Sequence, residues 1–211
     1  MRSTSSQSSV FIFFICLVFI SACTDKKKPK LPIYGMRSLN PTGDTIFHQI
    51  NNFSFINQDS QVVERSTFED KIYVSDFFFT TCPSICPVMT SQMKRVYAAY
   101  EKDPEVLLLS HSIDFRNDSV PVLKAYALEK GITNAEKWHF VTGKREDIYD
   151  IAKNSYYISA MEDEGAPGGY LHNGKFILVD KQGRIRGYYT GTEAESVDQL
   201  IQDIKRLKEE G

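Results

Sequence analysis

Two cysteines stand with three residues between them in the stretch FFFTTCPSICPVMTSQM, residues 77–93, and each is followed by a proline. Thiols so placed can hold a soft metal ion or exchange electrons through a disulfide. A residue before proline avoids the helical region, which predicts an extended or turn conformation at both Cys82 and Cys86. Pro87 suits the first position of a helix, so Cys86 is expected as the N-cap, with free backbone N–H groups aimed at its sulfur. The positive helix end would then lower the pKa of Cys86, an effect that could extend to Cys82. A turn can bring two α-carbons within the ~4.4–6.8 Å that a disulfide needs, and it can equally aim both sulfurs at one metal. Thioredoxin-type redox motifs have two residues between the cysteines; the third one here leans away from dedicated disulfide exchange, but spacing alone leaves both chemistries open.

The elements that must position this turn surround it. KIYVSDFFF (71–79) and EVLLLSHSI (105–113) read as buried central strands. Between them Met89, Met93, Val96, Tyr97 and Tyr100 share one helical face, which predicts a helix over 87–101 and a parallel strand–helix–strand crossover. A hairpin is expected over 53–63, helices over 119–130 and 145–153, and short strands at 139–142 and near 156–160. A Gly- and acid-rich loop follows, then a hairpin of 175–180 with 184–189 across Lys181-Gln182-Gly183, and a closing helix over 194–209. The layout is a thioredoxin-like α/β fold: a central mixed sheet flanked by helices, with an N-terminal hairpin, and the cysteines where the first central strand meets its helix.

The 211 residues have the composition of an ordinary globular protein and predict one domain once the start of the chain is set aside. Residues 9–22, SVFIFFICLVFISA, form an apolar run too short for a comfortable membrane span and built like a secretory signal. The run closes on Ile20-Ser21-Ala22-Cys23, which resembles a bacterial lipoprotein signal, in which the cysteine carries the lipid. The expected division is a lipoprotein signal over 1–22, a lipid-tethered linker over 23–44 and the folded domain over 45–211. This predicts an exported, membrane-tethered protein facing the periplasm or the cell exterior.

With Cys16 in the signal and Cys23 as the lipid site, the mature domain keeps Cys82 and Cys86 alone. A plain structural disulfide between them would close a tiny loop and constrain the unfolded chain little. Setting aside residues 1–22 removes one basic residue, Arg2, and leaves 24 basic against 27 acidic residues, a formal charge of −3. No basic stripe with interleaved aromatics is present, so nucleic acid is not an expected partner. Lys26, Lys27 and Lys28 read as a solvated tether.

Among the four histidines, His111 and His139 fall in or beside predicted strands and read as structural, and His48 lies at the linker's edge. His172 stands in GGYLHNGKFILVD, at the end of a flexible loop just before a strand, where functional groups often sit. Met89 and Met93 are soft atoms but read as core at helical spacing. Asp76, six positions before Cys82, reads either as a buried proton acceptor for a thiol or as a strand-end carboxylate. Asp118 or Ser119 is expected to cap the following helix, Asp114 has no assigned role, and residues 162–165 read as a solvated loop or a docking surface for a basic partner.

DFFFTTCPSICPVM, SHSIDFRNDSVPVLKAYA, WHFVTG and LHNGKFILVDKQGRIRGYY, taken in order, resemble the Sco/SenC family over roughly residues 44–209. These are membrane-tethered proteins of thioredoxin fold that help load copper into cytochrome c oxidase. The resemblance implies copper ligation by Cys82, Cys86 and His172. Two thiolates and an imidazole suit Cu(I), with Cu(II) also open, whereas structural zinc normally asks for four protein ligands. Ser84 and Asn173 depart from the family's usual acidic and hydroxyl residues, and neither position is a ligand. The implied function is a metallochaperone delivering copper to the dinuclear site of cytochrome c oxidase subunit II or another acceptor. The alternative is a thiol–disulfide oxidoreductase that reduces the acceptor's cysteines through Cys82 and Cys86. A thioredoxin-fold peroxidase is a weaker third reading, because it would rest on a single cysteine in a different setting.

Overall fold

The structure, a computed structural model, describes residues 29–210; the expected signal, Cys16 and the lipid site Cys23 lie outside the described residues. In chain order the elements are β1 (Arg37–Leu39), β2 (Thr45–Phe47), β3 (Ser54–Asn57), β4 (Val62–Glu64), β5 (Ile72–Phe78), α1 (Cys86–Tyr100), β6 (Val106–Ser112) and α2 (Val120–Glu129). They continue with β7 (Trp138–Thr142), α3 (Arg145–Asp150), β8 (Ala160–Glu162), β9 (Tyr170–His172), β10 (Lys175–Val179), β11 (Ile185–Thr190) and α4 (Ala194–Glu210).

Seven strands form one mixed sheet in the order β11-β10-β5-β6-β7-β3-β4. The centre is parallel, with Asp76 opposite Ser110 and His111 opposite Val141, and the outer strands are antiparallel hairpins. Every residue of β5 and β6 is buried, as their near-continuous apolar runs predict for strands covered on both faces. On one face Phe78 meets Tyr126 of α2 with ring centroids 5.4 Å apart; on the other Phe77 meets Tyr156 at 5.7 Å. Helix α1 buries Met89, Met93 and Val96, the stripe its periodicity predicts, and packs beside α4, which buries Val197, Leu200, Ile204 and Leu207. Each such side chain contributes on the order of 1.5–3 kcal/mol relative to exposure.

Most polar groups inside this core are partnered; His111 Nε2 is buried without a hydrogen-bond partner among the described residues. Ser110 donates its hydroxyl to Asp76 Oδ1 at 2.5 Å and accepts the indole N–H of Trp138 at 2.9 Å. His111 lies stacked on Phe77 at 4.7 Å, with Ser75 Oγ 3.2 Å from its Nδ1, and burial lowers its pKa to about 3. His139 is likewise held neutral by burial, its pKa lowered to about 4, with Asn57 Nδ2 3.3 Å from Nδ1. His48 places Nε2 2.8 Å from the carbonyl of Ser155. These three histidines serve the fold, in keeping with their positions in the sequence.

The structure departs from the sequence expectations in three places. The polar stretch ahead of Thr45 is docked on the domain from Pro29 onward: Arg206 donates to the Pro29 carbonyl at 2.8 Å, and the buried Arg186 donates to the carbonyls of Leu31 at 2.6 Å and Pro32 at 3.0 Å. Asp180 at 3.1 Å and Glu210 at 2.5 Å neutralise that guanidinium. Part of the same stretch folds as the β1–β2 hairpin. The helix expected over 145–153 shortens to α3 followed by a π-helical turn, Ile151–Ser155, and the strand expected near 156–160 begins only at Ala160, after Tyr157 adopts φ +54°.

Candidate metal centre

The two cysteines lie just past the C-terminal end of β5. Phe79 is buried there, the Cys82 N–H reaches the Phe79 carbonyl at 3.3 Å, and α1 starts at Cys86 with the Met89 N–H bonded to the Ile85 carbonyl at 2.9 Å. Ile85 is therefore the N-cap, in helical conformation, and Cys86 is the first helical residue rather than the extended cap that Pro87 suggested. The turn preceding it is tied from the side. Thr80 donates its backbone N–H to Asp118 Oδ2 at 3.0 Å and its hydroxyl to Oδ1 at 2.5 Å, and Ser112 donates to the same carboxylate at 2.5 Å. Asp118 thus braces the cysteine turn; Ser119 occupies the N-cap of α2, without a side-chain cap bond.

His172 is the last residue of β9, paired with Ala160 of β8, in a separate two-stranded sheet. The expectation of a flexible loop is corrected here: a short hairpin folds back over the cysteine turn. Three contacts hold it. Tyr170 donates its hydroxyl to Asp114 Oδ1 at 2.8 Å, the Tyr170 ring lies 5.1 Å from that of Phe79, and Phe79 meets the His172 ring edge-on at 6.4 Å. At the bend, Gly168 has φ +81°, and a Cβ on it would stand 2.7 Å from Phe79 and 3.1 Å from Pro83. Only glycine satisfies both the backbone and that approach.

The three expected ligands converge. Cys86 Sγ lies 3.3 Å from His172 Nε2, and the donor atoms of Cys82, Cys86 and His172 all fall within 4.8 Å of one another. Both thiols are free, and all three residues are buried. Burial raises the Cys82 pKa, but bonds from the hydroxyl and N–H of Ser84 and from Cys86 outweigh it, so the net shift is downward. Cys86 goes the other way. Burial pushes its thiol far above the ordinary range, the bond from the Phe79 backbone offsets only part of this, and Cys82 and Asp76 add to the rise. The helix-end lowering expected for Cys86 is overturned because desolvation outweighs the few donors its sulfur meets. Burial lowers His172 to about 4, leaving a neutral imidazole with a lone pair to offer.

Two thiols and a neutral imidazole within reach of one point form a soft set of three, one short of a structural zinc site. The set can hold one soft ion, or the two sulfurs can join. Met89 and Met93 are fully buried core residues, as their spacing predicts. Asp76 is buried, its pKa raised by burial to about 7 despite the Ser110 bond. Glu162 of the acidic loop lies 3.4 Å from both Arg116 and Arg145. Sequence reasoning missed Asp114, Asp118, Tyr170 and Gly168 as supports. Two carboxylates four residues apart in one loop were the available signal for the first pair.

The SCO1/SenC family profile matches residues 43–209. A SCO1/SenC family lipoprotein from Bacillus anthracis, known from its crystal structure, is 30% identical with a TM-score of 0.69, over 76% of this chain and 95% of that one. BsSco, described as a member of the Sco family of cytochrome c oxidase assembly proteins with a disulfide switch, is 29% identical with a TM-score of 0.67, over 76% and 93%. Arabidopsis thaliana ScoI, solved with copper bound, shares the fold at 23% identity and a TM-score of 0.61, over 74% and 98%. With its thioredoxin-like fold and this profile covering nearly the whole described domain, the chain belongs to the SCO1/SenC family.

Proposed function

We propose that this protein is a copper metallochaperone of cytochrome c oxidase assembly, which holds one Cu(I) through Cys82, Cys86 and His172 and delivers it to the dinuclear copper site of subunit II. The observation that carries the reading is the convergence of two free thiols and a neutral imidazole within 4.8 Å. Thiolates favour Cu(I) strongly, and a three-ligand shell leaves the ion open to attack by an incoming thiolate, so transfer proceeds by ligand exchange. Lipid on Cys23 tethers the domain to the membrane that houses the acceptor; the lipoprotein description of the Bacillus anthracis relative supports this. Among the described residues, no helix is long and apolar enough to cross a membrane. The test is an anaerobic Cu(I) competition titration of the reduced protein beside His172→Ala. Tight one-to-one binding that is lost in the variant supports the reading; weak binding indifferent to His172 refutes it.

A second reading is favoured by one specific observation, the opposed acidities of the two thiols. Cys82, lowered, suits the attacking thiolate, and Cys86, raised and buried, suits the resolving thiol of a dithiol reductant. Such a reductase would convert an acceptor disulfide to two thiols while Cys82 and Cys86 become a disulfide. His172 discriminates the readings, because exchange needs only the sulfurs. If His172→Ala keeps reductase activity and loses copper, both activities reside in one site.

A further inference from the structure

The stretch Pro29–Tyr34 forms a strap across one end of the domain, and the metal centre lies at the other. Leu31 is buried, its N–H donates to Glu210 Oε1 at 2.6 Å, and Arg186 and Arg206 hold the carbonyls of Leu31, Pro32 and Pro29. The Tyr34 N–H then bonds to the Ile185 carbonyl at 2.9 Å, and its ring meets that of Tyr188 edge-on at 5.5 Å. The sheet register gives the level of these contacts. Ile185 pairs with Val179, and Val179 with Tyr73 at the start of β5, so the strap crosses where β5 begins. Leu31 and Ile33 accordingly line one cavity with Ile72, the first residue of β5, and Leu207 of α4. Phe78 ends β5 about 17 Å further along the strand, and the two sulfurs, with His172 beside them, lie beyond it.

The strap shortens the tether to the membrane. From Cys23 to Pro29 the chain takes six steps, a reach of about 22 Å when fully extended. A domain of this size is about 40 Å across. With its metal centre turned toward the membrane, the strap would stand about 40 Å off, beyond what the tether spans; lying on its side, the domain still holds the centre about 20 Å clear. Freed of the strap, the tether would run to Tyr34, eleven steps and about 40 Å, and inversion would become possible. We infer that the strap keeps the metal centre facing away from the membrane, so that copper passes only to a protein whose own site stands about 20 Å or more from the bilayer surface, on an extramembrane domain. The inference rests on the lipid tether at Cys23 and on the metallochaperone reading, and adds to them where the acceptor must present its site. A copper site within the membrane, or lying against its surface, is out of reach.

The first measurement reads orientation without copper. The lipidated full chain, with Cys82→Ser and Cys86→Ser so that only an added thiol takes dye, is labelled through Gln182→Cys, beside the strap, or Ser84→Cys, at the metal centre; both positions are exposed. On vesicles carrying a headgroup-linked energy acceptor, transfer from position 182 should exceed that from position 84 by about twofold, given the strand length between them. Doubling the tether with a Gly/Ser insert between Lys28 and Pro29, which leaves the described fold untouched, should bring the two signals together, and Leu31→Ser should do so by releasing the strap. The second measurement offers the copper-loaded parent a Cu(I) chelator fixed to lipid headgroups, which should strip the insert variant at least about tenfold faster than the parent, while a soluble chelator strips both alike. Equal transfer from the two positions in the parent, a stronger signal from position 84, an asymmetry that survives the insert, or equal stripping by the headgroup chelator overturns the inference. A full chain that fails to float with vesicles overturns the lipid tether beneath it. A chain that floats with the expected asymmetry yet binds no Cu(I) overturns the metallochaperone reading alone.

Discussion

Cys86 Sγ and His172 Nε2 sit 3.3 Å apart although 86 residues separate them in the chain. Neither is placed by its neighbours in sequence alone. The loop after β6 supplies a carboxylate to each side: Asp118 receives both donors of Thr80, two residues before Cys82, and Asp114 receives the hydroxyl of Tyr170, two residues before His172. One loop thereby sets the distance between the sulfurs and the imidazole.

Tyr170→Phe removes the hydroxyl that ties the hairpin to Asp114 and leaves the ring on Phe79 in place. Supports of this kind typically contribute 10–100-fold to metal affinity, so Cu(I) affinity is expected to fall by about tenfold. Global stability should change by only ~1 kcal/mol. A competition titration paired with urea denaturation checks both numbers.

Gly168→Ala sets a Cβ 2.7 Å from the Phe79 ring at a φ of +81°. Strain of roughly 1–3 kcal/mol is expected, relieved by lifting the bend off Pro83 and carrying His172 away from the cysteines. The expected outcome is weaker Cu(I) retention with near-normal alkylation of the thiols. Loss of both would mean that the whole turn has collapsed.

The thiols should react unequally. Cys82 is lowered by its hydrogen bonds and Cys86 raised by burial, so at neutral pH in the reduced, metal-free protein iodoacetamide should modify Cys82 at least about tenfold faster. Peptide mapping of a time course gives the order. Ser84→Ala, which removes the hydroxyl 3.5 Å from Cys82 Sγ, should narrow the gap.

Asp76 sets a pH dependence of stability with a definite sign. Its folded pKa of about 7 lies above the ordinary 3.8, so the folded protein binds the proton more tightly than the unfolded chain does. The contribution is complete below pH 3.8 and is lost as pH rises through about 7, in total on the order of 2–4 kcal/mol. Asp76→Asn, which can still accept the Ser110 hydroxyl, should flatten the decline in Tm across that window and raise Tm on the alkaline side. Thermal denaturation over the pH range reads the slope directly.

Much of the fold was legible because the apolar runs of β5 and β6 and the Met89–Met93–Val96 stripe have periods that only buried strands and a half-buried helix satisfy. The cysteines were legible for the same reason, since they sit where one pattern gives way to the other. Two short hairpins were not. β1–β2 is exposed at nearly every position, and β8–β9 is interrupted by a Gly- and acid-rich bend, so neither carries a run long enough to register. The acidity of Cys86 was misjudged because a helix end can be read from Pro87, while the burial that overrides it comes from Phe79 and the hairpin, distant in the chain. Asp114 and Asp118 were ambiguous as letters, because an Asp beside a helix start most often caps it.

The β8–β9 hairpin forms a sheet of its own, joined to the seven-stranded sheet by chain connection and side-chain contacts rather than by strand pairing. Its opening is therefore thermodynamically separable from unfolding of the core: a local fluctuation that breaks the Tyr170–Asp114 bond withdraws the imidazole while both sulfurs stay fixed on the turn after β5 and the start of α1. On the proposed metallochaperone reading, release of the cargo is then governed by how often a six-residue ladder detaches, and a two-coordinate dithiolate would be the state from which an acceptor takes the ion.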